Sequence, residues 1–264
     1  ANLAGEHGLR VLGNLPKPIT AEQVATLLSR AAPSPASAAA EPGVEVDADD
    51  LRRAIENGEI VPYYQPKIRL AERQLESVEA LARWLHPEHG MIGPALFIPL
   101  AEDNALIDEV TAVMLEQATR QCSRWLSTGL SLQLAVNLSV KSLERLDLPE
   151  YLVEITERAG LEPSQLVLEV TESRFSDNPT ALLDTTTRLR LKRFELSIDD
   201  YGTGYSSFQQ LQHLPFTELK VDQAFVTGAS NDSKTRSILE SSVALAQKLG
   251  IKIVVEGIDS EADW

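Results

Sequence analysis

Short runs rich in Val, Ile and Leu alternate with longer amphipathic segments from about residue 48 onward. For example, a predicted helix around 149–159 leads to the strand QLVLEVTES, and one around 179–192 leads to FELSIDD. Repeated strand–helix units of this kind predict a parallel sheet covered by helices. About seven such strands in about 200 residues favour a (β/α)8 barrel, with an open α/β sheet as the alternative.

Polar side chains follow the apolar part of nearly every predicted strand. In a barrel the carboxyl ends of the strands converge on one face, where active sites lie. We therefore expect one site that gathers these residues. They are Glu79, Asn137, Glu169 with Glu172, Asp199 with Asp200, Lys220 with Asp222, and Glu256 with Asp259.

The donor types at these positions predict a divalent metal site. Apart from Lys220, all are hard oxygen ligands, with neither Cys nor His among them, so they suit Mg²⁺, Mn²⁺ or Ca²⁺ and not zinc. The adjacent Asp199 and Asp200 could share two ions, a common device for activating water against a phosphodiester. Lys220 would supply a cation near the water or the phosphate. The alternative interpretation, solvated loop acids, is harder to sustain for six strand ends than for one.

The charge and cysteine content limit the partners and the compartment. Lys plus Arg number 24 and Asp plus Glu 39, so the net charge of 24 − 39 = −15 argues against DNA binding through the overall field. A small phosphate ligand remains compatible, because a bound metal reverses the local sign. The lone Cys122 excludes an intrachain disulfide. Without a signal peptide or an apolar run of membrane-spanning length, we expect a cytoplasmic protein with no membrane insertion.

The chain is predicted to contain three parts. Residues 31–47, rich in Ala and Pro, are typical of a linker. Residues 1–30 show a short apolar run, Lys17-Pro18 and a helix, and so few residues cannot bury a core alone. We interpret them as the C-terminal fragment of a larger domain, and residues 48–264 as the main domain.

Two other motifs carry less weight. His86 and His89 have metal-ligand spacing in WLHPEHG, but the Pro and Gly there indicate a turn. The segment Gly202-Thr203-Gly204 could cradle a phosphate or could simply be a flexible turn.

The strand-end residues belong to a series of motifs spread over about residues 48–264. Glu79-Ala80-Leu81 lies within ESVEALARW, and with it the chain resembles the EAL family of cyclic di-GMP phosphodiesterases. The other matching segments are YQPK (64–67), FIPLAED (97–103), VNLS (136–139), LEVTES (168–173), SIDDYGTGYSS (197–207), LKVD (219–222) and VVEGID (254–259).

This resemblance implies a TIM-like (β/α)8 barrel whose first strand is antiparallel. It implies hydrolysis of cyclic di-GMP to linear pGpG with Mg²⁺ or Mn²⁺, Ca²⁺ being inhibitory, and a homodimer formed through the barrel domain.

The resemblance also implies roles for individual residues. Lys220 would help to position or activate the attacking water, Glu256 would join the metal or water network, and Glu172 would anchor the loop after Asp200. The implied metal ligands are Glu79, Asn137, Glu169, Asp199 and Asp200, with Glu79 also essential for catalysis, and the implied substrate contacts are Gln65, Leu81, Arg83 and Asp222.

Two departures from the family pattern bear on activity. Asp259 stands where the family usually has Glu, and the shorter side chain predicts reduced activity. The sequence ends at Trp264, so we expect the last strand and helix of the barrel to be absent from it.

The first thirty residues resemble the end of a response-regulator receiver domain, in which Lys-Pro closes the last strand. Lys17 would then be the phosphate-sensing lysine, and a sensor kinase would be a partner of a two-component signalling protein.

Two other functions remain open. A receptor that binds cyclic di-GMP without cutting it would usually have lost Glu79, one of the paired Asp residues or Lys220, and all are present here. A Mg²⁺-dependent barrel of the enolase type also places acids and Lys on successive strands. Asn137 and the adjacent Asp pair fit phosphodiester hydrolysis better.

Overall fold

The computed structural model describes residues 44–171, 179–201 and 211–258. All of them except Val44 belong to one compact unit that begins at Glu45. The receiver-like fragment with Lys17, most of the predicted linker, Glu172, the segment 202–204 and Asp259 lie outside the described residues.

The elements follow the predicted alternation of strands and helices. The strands are β1 (Ile60–Arg69), β2 (Gln74–His86), β3 (Gly90–Ile92), β4 (Gln133–Asn137), β5 (Leu166–Thr171), β6 (Glu195–Tyr201), β7 (Glu218–Val221) and β8 (Lys252–Val255). The α-helices are α1 (Ala48–Glu56), α2 (Pro94–Asp103), α3 (Ile107–Ser127), α4 (Val140–Leu143), α5 (Leu148–Ala159), α6 (Pro179–Leu191) and α7 (Ser233–Leu249). Within the described ranges, no helix is long and apolar enough to cross a membrane.

The strands form one mixed sheet with the order β1-β2-β4-β5-β6-β7-β8. β1 pairs with β2 in antiparallel fashion, and every later step from β2 to β8 along this order is parallel. The predicted TIM-like barrel with an antiparallel first strand is therefore confirmed. One strand was missed: β3 folds back onto the end of β2, where the sequence suggested only a turn.

The sheet curves until its two ends face each other. Lys252 Nζ on β8 lies 3.2 Å from Glu76 Oε1 on β2 and 2.8 Å from Gln133 Oε1 on β4. Lys67 Nζ on β1 lies 3.6 Å from Glu218 Oε1 on β7. Contacts between strands so far apart in the sheet order require a barrel-like interior, into which alternate side chains point.

The outward faces of the strands pack against the helices. In β5, Leu166, Leu168 and Val170 are fully buried, and Glu169 points to the opposite face. On β2, the buried Trp84 packs edge-on against Phe97 of α2, with ring centroids 6.1 Å apart. The apolar core thus lies between sheet and helices, which leaves the barrel interior for polar groups.

This arrangement predicts a large stability loss on truncating a core leucine. Leu168→Ala should lower the free energy of unfolding by about 2–5 kcal/mol, because Leu168 is fully buried and its loss leaves a cavity. The same substitution at Leu191, which is 79% exposed at the end of α6, should cost less than about 1 kcal/mol. Urea unfolding followed by circular dichroism measures both, and equal losses would contradict this division of core and surface.

Candidate active site

The ammonium group of Lys220 is the centre of the barrel interior. Its Nζ lies 3.1 Å from Glu79 Oε2, 2.8 Å from Glu169 Oε2, 3.0 Å from Asp199 Oδ1 and 2.7 Å from Glu256 Oε1. The Lys220 side chain is only 2% exposed. These acids come from β2, β5, β6 and the residue that follows β8, so the structure brings together side chains from across the barrel as the sequence predicted.

The parallel register explains this convergence. Asn137 is level with Glu169, and Thr171 is level with Asp199, so the polar residues occupy adjacent heights on neighbouring strands. Asn137 Nδ2 also donates a hydrogen bond of 2.9 Å to Glu79 Oε1. This bond orients the Glu79 carboxylate toward the centre.

The sequence predicted Glu79 at the end of its strand, and this detail was wrong because the strand continues beyond it. β2 continues to His86, since its last residues pair with β3. Only the segment Ser77–Ala80 pairs with β4. Glu79 therefore lies near the end of the parallel part of β2, which puts it at the height of the site.

A local irregularity brings Asp199 and Asp200 to the same site. Successive side chains of a regular strand point to opposite faces. Here the pairing of β6 with β7 shifts its register between Ile198 and Tyr201, and Asp200 has a φ of 56°. The Asp200 N–H donates to Asp199 Oδ1 at 2.9 Å. Such left-handed backbone is costly for a non-glycine residue and is concentrated at functional sites.

The position of Glu256 depends on the glycine that follows it. Gly257 has a φ of 72°, and a Cβ at this position would lie 2.5 Å from Gln223 Cβ. A larger residue would displace the turn. Glycine therefore allows the chain to turn immediately after Glu256, whose carboxylate reaches Lys220.

The acids repel one another, as their pKa values show. Burial, followed by the charges of Glu79 and Asp199, raises the pKa of the fully buried Glu169 to about 8 despite the nearby Lys220. Burial and then the neighbouring Asp199 raise the pKa of Asp200 to about 6. Burial also raises the pKa of Glu256.

Glu79 and Lys220 shift in the directions that favour their charged forms. Burial would raise the pKa of Glu79, but the ammonium groups of Lys220 and Lys67 and the Asn137 hydrogen bond lower it. Burial would lower the pKa of Lys220, but Glu169 and the other carboxylates raise it far above its usual value. Lys220 therefore stays protonated at neutral pH.

The donor set fits a divalent cation in charge and in chemistry. Six carboxylates, including Glu218, face the ammonium groups of Lys220 and Lys67, so negative charge is in excess. Burial first, and then repulsion between the acids, raises the pKa values of the carboxyl groups at the centre. A divalent cation would offset that excess, and oxygen ligands suit Mg²⁺ or Mn²⁺. Within the described ranges, no three His, Cys, Asp or Glu side chains already surround a common metal position. The oxygens instead turn toward Lys220.

The predicted substrate contacts lie beside this cluster. Gln65 is directly opposite Glu79 in the β1–β2 register, and Leu81 and Arg83 follow Glu79 at steps of two. Directly opposed and alternate residues share one face of a sheet, so these side chains line the same face as Glu79. Asp222 follows β7, and its Oδ1 accepts the N–H of Ala224 at 2.8 Å.

Two residues on the inner face of β1, Lys67 and Tyr63, were not among the predicted site residues. Lys67 lies two residues after Gln65 and contacts Glu169. Tyr63 lies two residues before Gln65, opposite Leu81, and is 47% exposed. The period of two along YYQPK could have identified both, once Gln65 was assigned to the site.

The two histidines form part of a turn. His86 ends β2, and its Nδ1 accepts the N–H groups of Glu88 and His89, both at 3.1 Å. The two rings stack with centroids 4.5 Å apart. One ring nitrogen is thus already used by the backbone of the β2–β3 connection.

The raised pKa of Glu169 predicts how stability depends on pH without metal. Between its usual 4.5 and about 8, the folded protein keeps a proton that the unfolded chain releases, so stability falls as pH rises. Asp200 acts with the same sign between 3.8 and about 6. We expect the thermal midpoint in EDTA to fall from about pH 5 to about pH 8, and to fall less in Glu169→Gln.

The control for this measurement is Glu157→Gln, on the exposed side of α5, which should keep the slope of the unmodified protein. Circular dichroism at constant ionic strength records the midpoints. A midpoint that rises over this range, or an unchanged slope in Glu169→Gln, would contradict the assignment.

Comparison with known proteins identifies the family. The EAL domain family matches residues 48–264. MucR of Pseudomonas aeruginosa, named a bifunctional diguanylate cyclase/cyclic di-GMP phosphodiesterase, is 42% identical over 81% of this chain and 31% of its own length. RocR of the same organism, named a cyclic di-GMP phosphodiesterase, is 34% identical over 96% of this chain and 65% of its own length. The chain thus spans between about a third and two thirds of these two relatives.

A solved structure titled as the MucR phosphodiesterase in complex with c-di-GMP resembles this one. It superposes with a TM-score of 0.76 at 41% identity and covers 81% of this chain and 87% of that one. The family match, the curated relatives and the fold agree with the motifs and with the arrangement of the strand-end acids. The chain belongs to the EAL-domain family.

Proposed function

We propose that this chain hydrolyses cyclic di-GMP to linear pGpG in a reaction that depends on Mg²⁺ or Mn²⁺. The observation that carries the proposal is the cluster of four acids around Lys220, with a fifth acid, Asp200, beside them. An excess of carboxylates at the carboxyl ends of barrel strands is suited to bind metal next to a phosphodiester.

The names of the relatives support the choice of substrate. MucR and RocR of Pseudomonas aeruginosa and PdeR of Escherichia coli all have names that include cyclic di-GMP phosphodiesterase. MucR also has a solved structure titled as a c-di-GMP complex. The contacts among the described residues are equally compatible with a guanine dinucleotide and with another phosphodiester. The identity of the substrate therefore depends on the family, and the chemistry depends on the site.

The proposed metal ligands are Glu79, Asn137, Glu169, Asp199 and Asp200. A bound cation would supply an activated water and would neutralise charge on the phosphate. Asp200 is half-buried and interacts electrostatically with Asp199, so the two adjacent carboxylates could bind a cation between them. Asn137 contributes by orienting Glu79, and its amide oxygen is of the same hard-donor type.

Lys220 acts as a cation and not as a base. Its raised pKa keeps it protonated, so its Nζ can only donate hydrogen bonds. It would orient the attacking water and stabilise negative charge that develops on the phosphate. Glu256 is more exposed than the other acids around Lys220 and has a raised pKa, which suits it to accept a proton from that water.

The inner face of β1 and β2 would hold the dinucleotide. Gln65 and Leu81 lie next to Glu79 on this face, and Arg83 lies nearer the end of β2. The planar guanidinium of Arg83 can pair with two phosphate oxygens at once. Asp222 would contact the substrate from the opposite side of the site.

The signalling context stays a prediction. The match to RocR extends beyond residues 48–264, which supports an N-terminal segment shared with a larger signalling protein. Lys17 as a phosphate sensor, a sensor kinase as partner, the homodimer, the cytoplasmic location and the effects of Glu172 and Asp259 all belong to this proposal.

The decisive assay is hydrolysis of cyclic di-GMP by the purified chain with Mg²⁺ or Mn²⁺, followed by chromatography. We expect pGpG to appear, and Glu79→Ala to lower turnover by roughly 100-fold or more. Losing a residue that only hydrogen-bonds to a metal ligand already lowers metal affinity or activity by roughly 10–100-fold, and Glu79 is itself a proposed ligand. Ca²⁺ should support binding without turnover.

Glu76→Ala is the matched control, since Glu76 lies on the same strand but pairs with Lys252 and Arg69 away from the site. It should retain turnover within about 3-fold. Tight binding of cyclic di-GMP without product in Mg²⁺ or Mn²⁺ would reject the enzyme and favour a receptor. Equal activity of Glu79→Ala and Glu76→Ala would reject the site.

A further inference from the structure

Lys67 is a largely buried cation that the proposed mechanism does not use. It lies on β1, two residues beyond Gln65 on the same face, and its side chain is 13% exposed. Its Nζ contacts Glu169 Oε1 on β5 and lies 3.6 Å from Glu218 Oε1 on β7. Lys67 thus spans the barrel interior beneath the cluster around Lys220.

The two lysines hold Glu169 from both sides. Lys67 donates to Glu169 Oε1, and Lys220 donates to Glu169 Oε2 at 2.8 Å. Because each oxygen has its own donor, both the position and the plane of this carboxylate are fixed. The Glu169 side chain is fully buried, so bulk water does not reach either oxygen while both lysines are in place.

Lys67 has a second buried acid to neutralise. Glu218 is 6% exposed, and within the described part of the chain its Oε1 accepts no hydrogen bond. The ammonium group of Lys67 faces this atom. A buried carboxylate without a compensating charge is costly, so Lys67 has a structural role toward Glu218 that must be separated from any role toward Glu169.

We propose that Lys67 is a positioning residue that orients Glu169 as a metal ligand. Ligating carboxylates are commonly held by an outer hydrogen-bond donor, and losing that donor weakens metal affinity or activity. The inference rests on the proposed function, because it takes Glu169 as a metal ligand. It adds a residue from the antiparallel strand to the machinery of the site.

The test is calorimetric titration of the purified chain with Mn²⁺ alone, without substrate. Lys67→Met removes the ammonium group and keeps the length, and we expect Mn²⁺ affinity to fall roughly 10-fold or more. Lys67→Arg keeps a charged donor and should recover affinity to within about 3-fold of the unmodified protein. In the hydrolysis assay, Lys67→Met should lower kcat by a similar factor and leave KM nearly unchanged.

A double variant separates positioning from charge balance. Lys67→Met combined with Glu218→Gln removes the ammonium group together with the second acid that it neutralises. We expect this protein to recover part of the thermal midpoint lost in Lys67→Met, namely the part due to Glu218, while Mn²⁺ affinity stays low because Glu169 Oε1 still lacks its donor. Glu218→Gln alone should bind Mn²⁺ as the unmodified protein does.

Two results would overturn the positioning role. If Lys67→Met or the double variant bound Mn²⁺ as tightly as the unmodified protein, Glu169 would not need this donor. Tighter binding would show that Lys67 only competes with the metal for Glu169. Failure of the proposed function gives a different result from failure of this inference. In that case the unmodified protein would bind Mn²⁺ but leave cyclic di-GMP uncut. The Mn²⁺ affinities of Lys67→Met and the unmodified protein would still decide the role of Lys67.

Discussion

The four ion pairs of Lys220 are the constraint on which the barrel interior depends. Glu79, Glu169, Asp199 and Glu256 come from four different strands or their ends, and each lies within about 3 Å of one ammonium group. Removing one partner of a buried pair leaves an uncompensated charge, which is strongly destabilising. The strands must therefore keep a register that brings these side chains to one height, and the same register defines the site.

Below this cluster, two further lysines also join strands across the barrel interior. Lys67 joins β1 to β5 and β7, and Lys252 joins β8 to β2 and β4. Apolar burial holds the helices to the outside of the sheet, whereas charge pairing links opposite walls of the inside. The antiparallel β1 is consequently more than an edge strand, since it supplies the ammonium group that faces Glu169 from the side opposite Lys220.

The sequence predicted what local patterns can encode. The alternation of strands and helices, the barrel and the convergence of strand-end acids all followed from periodicity and from the rule that carboxyl ends share one face. It did not show that β2 continues past Glu79, because the short β3 is defined by pairing and not by its own composition. Nor did it show the left-handed Asp200, or the contact of Lys67 with a residue 102 positions later in the chain.

The excess of buried acid argues that this interior is built for a ligand and not for stability. Well-packed apolar residues usually stabilise a core at least as well as buried ion pairs do. Here six carboxylates face two ammonium groups, and burial first, with repulsion between the acids added to it, raises the pKa values of Glu169 and Asp200. A divalent cation bound at the proposed site would relieve this repulsion, and its affinity would gain from that relief. The unliganded interior thus carries a cost in stability that a bound metal would offset, as expected where function competes with folding.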